Sequence, residues 1–136
     1  KGNQTVYRGN GGGMGTPGYM PPEVILLKKG QRYEPKHWDV FSMAMIIYFM
    51  WTGKHPLLEE FENAFAINDE ISKGTRPILP TSIPINLRDI IRQMWDQDHT
   101  KRLTVNESCI ELYKLYEISE VLDKNEHLQL NPLTHL

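Results

Sequence analysis

The feature that most constrains the fold of this chain is residues 40–51, a stretch with a single polar side chain. A helix that is apolar on every side has to be surrounded by protein. The stretch is too short to cross a bilayer, which takes about 20 apolar residues. Gly53 and Pro56 follow it and predict where the helix ends. We therefore expect one buried helix over residues 38–51, around which the rest of the domain packs.

Local patterns predict further helices on both sides of this central helix. Asp39 is the residue type preferred at an N-cap, so we expect it to cap the central helix. Proline followed by an acid at Pro22 and Glu23 is typical of a helix start. Apolar residues at helical spacing predict helices within residues 58–73 and 87–95. Residues 58–73 are predicted to turn Phe61, Ala64, Phe65 and Ile71 to one side.

The last helix is predicted to begin with a capping box, because Thr104 and Glu107 have the required spacing. One stripe of this helix is predicted to hold Val105, Cys109, Leu112, Tyr113 and Tyr116. Beyond residue 118 the apolar pattern fades. No stretch alternates apolar and polar residues strictly, so the predicted class is all-α, a bundle of about five helices around the buried one.

Composition excludes several functional classes. The 136 residues suffice for one domain, and the net charge of −2 with scattered Lys and Arg gives no surface for nucleic acid. Cys109 is the only cysteine, which excludes a disulfide framework and is typical of a cytoplasmic protein. The five histidines have no metal-ligand spacing. No membrane contact is evident in the sequence.

Residues 1–18 are rich in glycine and carry no periodic apolar pattern, which predicts a flexible loop. A phosphate-binding loop is the alternative. No G-x-G-x-x-G register fits, and no apolar strand precedes the glycines, so we favour the plain loop.

Three separate motifs carry a family resemblance. G-T-P-G-Y-M-P-P-E at residues 15–23 resembles the end of a kinase activation segment. D-V-F-S-M-A at residues 39–44 resembles the start of the central helix of the kinase C-lobe, and D-H-T-K-R at residues 98–102 resembles D-P-x-x-R. In this order, they make the chain similar to the C-lobe of a Ser/Thr protein kinase domain. The G-x-R-P-x-L-P pattern at residues 74–80, with Trp95, resembles the tyrosine-kinase-like group.

The resemblance implies a division of the chain and one structural ion pair. Residues 1–18 would be the activation-segment loop, residues 19–118 the partial C-lobe, and residues 119–136 a loosely held tail. Glu23 and Arg102 would form a buried ion pair, for which the planar guanidinium of arginine is well suited.

The resemblance also implies where substrate would be positioned. Gly15, Thr16, Pro17 and Tyr19 occupy the substrate-positioning places, and Thr16 with Tyr19 favours serine or threonine as the phosphorylated residue. The residue matching Asp39 also receives hydrogen bonds from the catalytic loop in kinases. Thr5 and Tyr7 lie where activation loops are phosphorylated, although unmodified loop hydroxyls explain them equally well.

The kinase motifs for ATP and catalysis do not occur in this sequence. It has no V-A-I-K-like lysine, no H-R-D and no D-F-G. We expect no catalytic residue, metal or cofactor in this chain, and expect ATP and Mg²⁺ to bind elsewhere in an intact kinase domain. The expected partners are a protein substrate and the N-lobe and catalytic loop of the same parent.

Two functions remain open from the sequence. In the first, the parent phosphorylates Ser/Thr of proteins with ATP, and this chain supplies the substrate-docking segment. In the second, the parent is a pseudokinase or truncated C-lobe that binds proteins without catalysis, through residues 58–73 and 77–84.

Overall fold

A computed structural model describes residues 7–8, 15–28, 32–33 and 37–129 of the chain, with side chains for residues 15–28 and 37–123. This part of the chain contains five helices: α1 (Pro22–Ile25), α2 (Trp38–Thr52), α3 (Ala64–Lys73), α4 (Ile85–Met94) and α5 (Val105–Gln129).

The predicted helical class is confirmed, with one small addition. Two-residue strands β1 (Tyr7–Arg8) and β2 (Arg32–Tyr33) pair antiparallel, with Tyr7 opposite Tyr33. Two residues are too few to produce a detectable alternation of apolar and polar side chains, so the sequence did not reveal this pair.

Helix α2 lies at the centre of the core but is covered on one face only. Phe41, Ala44 and Met45 are fully buried, and α4 and α5 contact this side. On the other side Met43 is 48% and Met50 76% exposed. Within the described residues, α2 is therefore buried on one side and exposed on the other. The other described helices are too few to cover both faces of α2.

The predicted cap of α2 is wrong. The helix begins at Trp38 and the N-cap position is His37, which makes no side-chain capping hydrogen bond. Asp39 lies one residue inside the first turn, where the helix dipole still favours a carboxylate. Arg102 donates to the His37 carbonyl oxygen at 3.1 Å, which ties the N-cap position to the segment that carries Arg102.

Helix α3 is shorter than predicted. Residues 56–60 form turns, and Asn63 caps the helix by accepting a hydrogen bond from the Ala66 amide at 2.9 Å. The predicted end is correct, since Gly74 follows with a φ of 104°. Ile71 is buried as expected, but Phe65 is 83% exposed. The prediction that Phe65 and Ile71 lie on the same side of the helix was wrong.

The capping box of α5 is confirmed. Glu107 accepts from the Thr104 amide at 2.7 Å, and the Glu107 amide donates to the Thr104 hydroxyl at 3.2 Å. The Thr104 hydroxyl also donates to Glu107 Oε2 at 2.8 Å, and the two bonds that the carboxylate accepts, from the Thr104 amide and hydroxyl, lower the pKa of Glu107.

The rest of α5 differs from the prediction in length and in its buried face. Residues 119–129, predicted as part of a loose tail, are helical. Ser108 is buried and Leu112 and Leu115 are half-buried, whereas Val105 and Tyr113 are more than half exposed. No helix within the described residues is long and apolar enough to span a membrane.

Candidate functional site

The ion pair between Glu23 and Arg102 joins α1 to the segment just before α5. Arg102 donates from both terminal nitrogens, at 2.6 Å to Oε1 and 2.8 Å to Oε2 of Glu23. The Arg102 side chain is 0% exposed and that of Glu23 23%. Arg102 Nε also donates to the Asp96 carbonyl at 2.8 Å. The structure thus brings together the two residues that the sequence paired, and it satisfies the guanidinium with backbone acceptors as well.

Phe41 provides an aromatic surface for two guanidinium groups. The Cζ atoms of Arg102 and Arg76 lie 5.0 and 4.9 Å from the Phe41 ring centroid, within the range of cation–π contacts. Desolvation, followed by the nearby charge of Arg102, lowers the pKa of Arg76 to about 10. Arg76 therefore stays charged at neutral pH although burial and its neighbour disfavour the charge.

Arg76 connects the ends of α3 and α4. Its Nε donates to the Trp95 carbonyl at 3.0 Å, and its two terminal nitrogens donate to the Ile71 carbonyl at 3.2 Å and to Gln97 Oε1 at 2.7 Å. It also donates to the Thr75 carbonyl at 2.8 Å. The sequence placed Arg76 in a family pattern without a role. Its position just after a predicted helix C-terminus could have indicated this role. The last carbonyls of a helix lack helical partners, and a cation there can donate to them.

Residues 15–19 form a turn that is attached to α2. The Tyr19 amide donates to the Thr16 carbonyl at 3.1 Å, which closes the turn. Ser42 Oγ donates to the Tyr19 carbonyl at 2.8 Å. Ser42 is the one polar side chain of the apolar stretch, and sequence reasoning assigned it no function. It holds the turn against the central helix.

The Tyr19 side chain is fixed by aromatic and hydrogen-bond contacts. Tyr19 Oη and His55 Nδ1 lie 2.9 Å apart, and the His55 ring stacks on Phe49 with centroids 4.7 Å apart. Partial burial raises the pKa of the Tyr19 hydroxyl, so this side chain stays neutral and polar at the surface.

Gly18 lies where the turn packs against the chain after α2. Its φ is +88°, and a Cβ placed on it would come within 2.9 Å of the Pro56 carbonyl oxygen. Backbone cannot move aside as easily as a side chain, so only glycine fits here. This close approach packs the turn against the segment that follows α2.

We predict that Gly18→Ala lowers the free energy of unfolding by at least about 2 kcal/mol, since it adds a steric clash to an unfavourable backbone conformation. The matched control is Gly53→Ala, where φ is +70° and no atom lies within 4 Å of the added Cβ. The control should lower the free energy of unfolding by about 1 kcal/mol, because the positive φ is unfavourable for alanine even without a clash. Urea denaturation measures both, and equal losses would contradict the close-approach argument.

A cavity of about 500 Å³ opens beside this turn. Gly15, Thr16, Tyr19 and Asp39 all line it, together with Ser42 and His55. Thr16 is exposed, so its hydroxyl is accessible from the cavity. Of the other predicted residues, Pro17 lies in the same turn, Thr5 lies outside the described residues, and only the backbone of Tyr7 is described.

The described residues do not suit a metal or nucleotide site. Residues 15–28 and 37–123 contain no group of three His, Cys, Asp or Glu side chains that could hold a metal ion. The cavity beside the turn is lined mainly by apolar and aromatic residues, and no Lys or Arg contributes to it. A triphosphate with Mg²⁺ therefore does not fit this cavity.

Comparison with known proteins gives the family. The protein kinase domain model matches residues 7–113. A serine/threonine-protein kinase/receptor of Acanthamoeba polyphaga mimivirus is 34% identical over 103 residues, which cover 76% of this chain and 6% of that protein.

Two further relatives agree with this match. A light-sensor protein kinase of Ceratodon purpureus is 33% identical over 124 residues, covering 82% of this chain and 9% of the relative. The dual specificity protein kinase shkE of Dictyostelium discoideum is 36% identical over 97 residues, covering 71% of this chain and 13% of the relative. The chain thus spans only a small part of the relatives it matches. With most of its length covered by the family model and its similarity to serine/threonine kinases, the chain belongs to the protein kinase family.

Proposed function

We propose that the parent protein phosphorylates serine or threonine in proteins with ATP, and that this chain contributes the segment on which the substrate docks. The observation that carries the proposal is the turn of residues 15–19. It is attached to α2 through Ser42 and Tyr19, while the Thr16 side chain remains exposed at a cavity. A hydroxyl on an anchored turn at an accessible edge suits the positioning of a substrate.

The role of Thr16 in this proposal is to orient the substrate hydroxyl. Gly18 lies close to Pro56, and Ser42 donates to the Tyr19 carbonyl, so the backbone that follows Thr16 is anchored. Catalysis of phosphoryl transfer depends mainly on positioning and electrostatics, and a displaced hydroxyl reduces the rate.

The proposal includes the narrower assignment to the tyrosine-kinase-like group. It is supported by the hydrogen bond from Arg76 to the Trp95 carbonyl, which joins two residues of the sequence pattern of that group. ATP and Mg²⁺ would be held by other parts of the intact kinase domain and would supply the phosphoryl group. A cytoplasmic location is part of the same proposal, because ATP-dependent phosphorylation and the unpaired, exposed Cys109 both suit a reducing, ATP-containing compartment.

The test is a phosphorylation assay on the full-length parent with labelled ATP, Mg²⁺ and a mixed protein substrate, followed by phosphoamino acid analysis. We expect phosphoserine and phosphothreonine, and expect Thr16→Val to lower kcat/KM by about tenfold or more. The matched control is Thr81→Val, which changes an exposed threonine outside the cavity and should leave activity unchanged.

Three results would contradict the proposal: no phosphate transfer, phosphotyrosine as the main product, or equal effects of the two valine variants. The dual specificity name of one relative makes the second result a real alternative.

A non-catalytic binding module is the second candidate function. Phe65 is 83% and Ile78 87% exposed, and they lie in the two segments for which the sequence allowed protein binding. An inactive parent that still bound other proteins through these segments would favour this second function.

A further inference from the structure

The loop of residues 53–57, which follows α2, contains an unusual backbone conformation. Leu57 has a φ of 60°, a value that a bulky side chain rarely adopts. Its side chain is 3% exposed and belongs to the same core cluster as Phe41 and Ile71. A residue persists in this conformation only where its surroundings enforce it, and such residues cluster at functional sites. The residues that Leu57 holds in place are therefore candidates for a functional role.

The two residues before Leu57 meet the turn of residues 15–19. Pro56 is fully buried, and a Cβ on Gly18 would come within 2.9 Å of its carbonyl oxygen. His55 is exposed and lines the cavity beside the turn. This short segment is therefore anchored in the core at Leu57 and reaches the cavity at His55.

The His55 ring contacts both Tyr19 and Phe49, each in a different way. Its Nδ1 lies 2.9 Å from Tyr19 Oη, and the two rings meet edge to face with centroids 6.1 Å apart. On Phe49 of α2 it is stacked, with centroids 4.7 Å apart and planes inclined by 25°. A tyrosine hydroxyl both donates and accepts, so this hydrogen bond can form with the neutral and with the protonated imidazole. His55 therefore ties the Tyr19 side chain to α2.

This contact fixes a part of Tyr19 that the backbone of the turn leaves free. Two hydrogen bonds already hold the Tyr19 backbone, because its amide donates to the Thr16 carbonyl and its carbonyl accepts from Ser42. Neither bond sets the direction of the Tyr19 side chain, which lines the cavity together with Thr16. A single exposed hydrogen bond contributes little to stability. Its loss therefore alters the orientation of Tyr19 more than the stability of the domain.

We propose that His55 is a positioning residue for the phosphoryl transfer proposed above. It orients the Tyr19 ring at the wall of the cavity where Thr16 is exposed, so that a substrate chain meets a fixed surface. Small displacements of a bound substrate reduce the rate of transfer. This role rests on the proposed function, and His55 acts through Tyr19 rather than by contact with the transferred phosphoryl group.

The experiment is steady-state kinetics of the full-length parent, with one protein substrate that it phosphorylates in the assay described above. His55→Phe keeps an aromatic ring against Phe49 and removes the hydrogen bond, whereas Tyr19→Phe removes the same bond from the other side. We expect each variant to lower kcat/KM for that substrate by about fivefold, as for one lost hydrogen bond, with KM for ATP unchanged. The double variant should lose no more than either single variant, because both remove the same contact.

His55→Asn and Lys54→Ala are the controls. Asparagine carries an amide near the place of Nδ1 that can bond to Tyr19, so it should recover about half of the lost kcat/KM or more. Lys54 precedes His55, and its side chain is 54% exposed in a pair with Glu59, so its removal should leave kcat/KM unchanged. In urea denaturation, His55→Phe should have the same midpoint as the unmodified parent.

Hydrogen exchange of residues 15–19, followed by mass spectrometry, gives a readout that does not depend on activity. It should become several-fold faster in both phenylalanine variants, because a released Tyr19 side chain lets the turn open more often. An inactive parent with this change would refute the proposed phosphorylation but keep the positioning of Tyr19 by His55. Unchanged exchange and kcat/KM in His55→Phe would overturn the role of His55. Additive losses in the double variant, or a fall in the unfolding midpoint that parallels the loss of activity, would overturn it as well.

Discussion

Arg102→Ala is expected to lower the free energy of unfolding by about 3 to 5 kcal/mol, because it leaves the Glu23 carboxylate without its partner in a largely buried site. The loss extends beyond the ion pair. Arg102 also donates to the carbonyls of Asp96 and His37, and these acceptors would lose their donor. For a domain of this size, the melting temperature should fall by about 10 °C or more.

The matched control is Lys101→Ala. Lys101 is the neighbouring cation, but its side chain is 72% exposed and lies 3.7 Å from Asp98. Such a surface pair contributes less than about 1 kcal/mol. Urea denaturation of both variants measures the difference. Similar destabilisation by the two changes would show that the Glu23–Arg102 pair does not hold the domain together.

Arg76→Ala is expected to lower the free energy of unfolding by about 3 kcal/mol. The substitution removes four hydrogen bonds, three of them to the backbone carbonyls of Ile71, Thr75 and Trp95. Each lost hydrogen bond costs about 1 kcal/mol, although the Ile71 carbonyl still accepts from the Gly74 amide at 3.1 Å. The ends of α3 and α4 would also lose the side chain that connects them.

One effect opposes this loss. The two guanidinium groups on Phe41 are no more than about 10 Å apart, since each lies about 5 Å from the same centroid. Removing one charge relieves a repulsion of about 2 kcal/mol at an effective dielectric constant of 20. Asp96 and Glu23 already offset part of that repulsion. The lost hydrogen bonds therefore outweigh the gain, and the net effect is destabilising.

Two further variants separate the hydrogen bonds from the charge. Arg76→Lys keeps the charge but loses the planar fork, so we expect it to recover less than half of the stability lost in Arg76→Ala. Arg92→Ala removes an exposed cation paired with Asp89 and should change the stability by less than about 0.5 kcal/mol. A stable Arg76→Ala would indicate that water replaces the guanidinium at all three carbonyls.

Predictions that depended on neighbouring residues in the sequence were mostly correct. The capping box of Thr104 and Glu107, the helix end at Gly74 and the helix start at Pro22 all appear in the structure. Each depends on hydrogen bonds or dihedral angles within one turn of the chain. The pairing of Glu23 with Arg102 came from the family resemblance, because the two residues are far apart in the sequence.

Predictions that depended on which face meets another element failed more often. Phe65 fits an apolar helix stripe but faces solvent, and the buried side of α5 passes through Ser108 rather than Tyr113. Asp39 suits an N-cap, yet the helix begins at Trp38 with His37 at the N-cap position. An apolar pattern gives the period of a helix, whereas its rotation against the core depends on partners distant in sequence.

The sequence by itself determined the helical class, most helix positions and membership of the kinase family, because local backbone preferences and short motifs are written in neighbouring residues. Only the tertiary structure decided that Ser42 fastens the turn of residues 15–19 and that Arg76 and Arg102 share the Phe41 ring. These features depend on distances between side chains from different segments, and those distances exist only after the chain has folded.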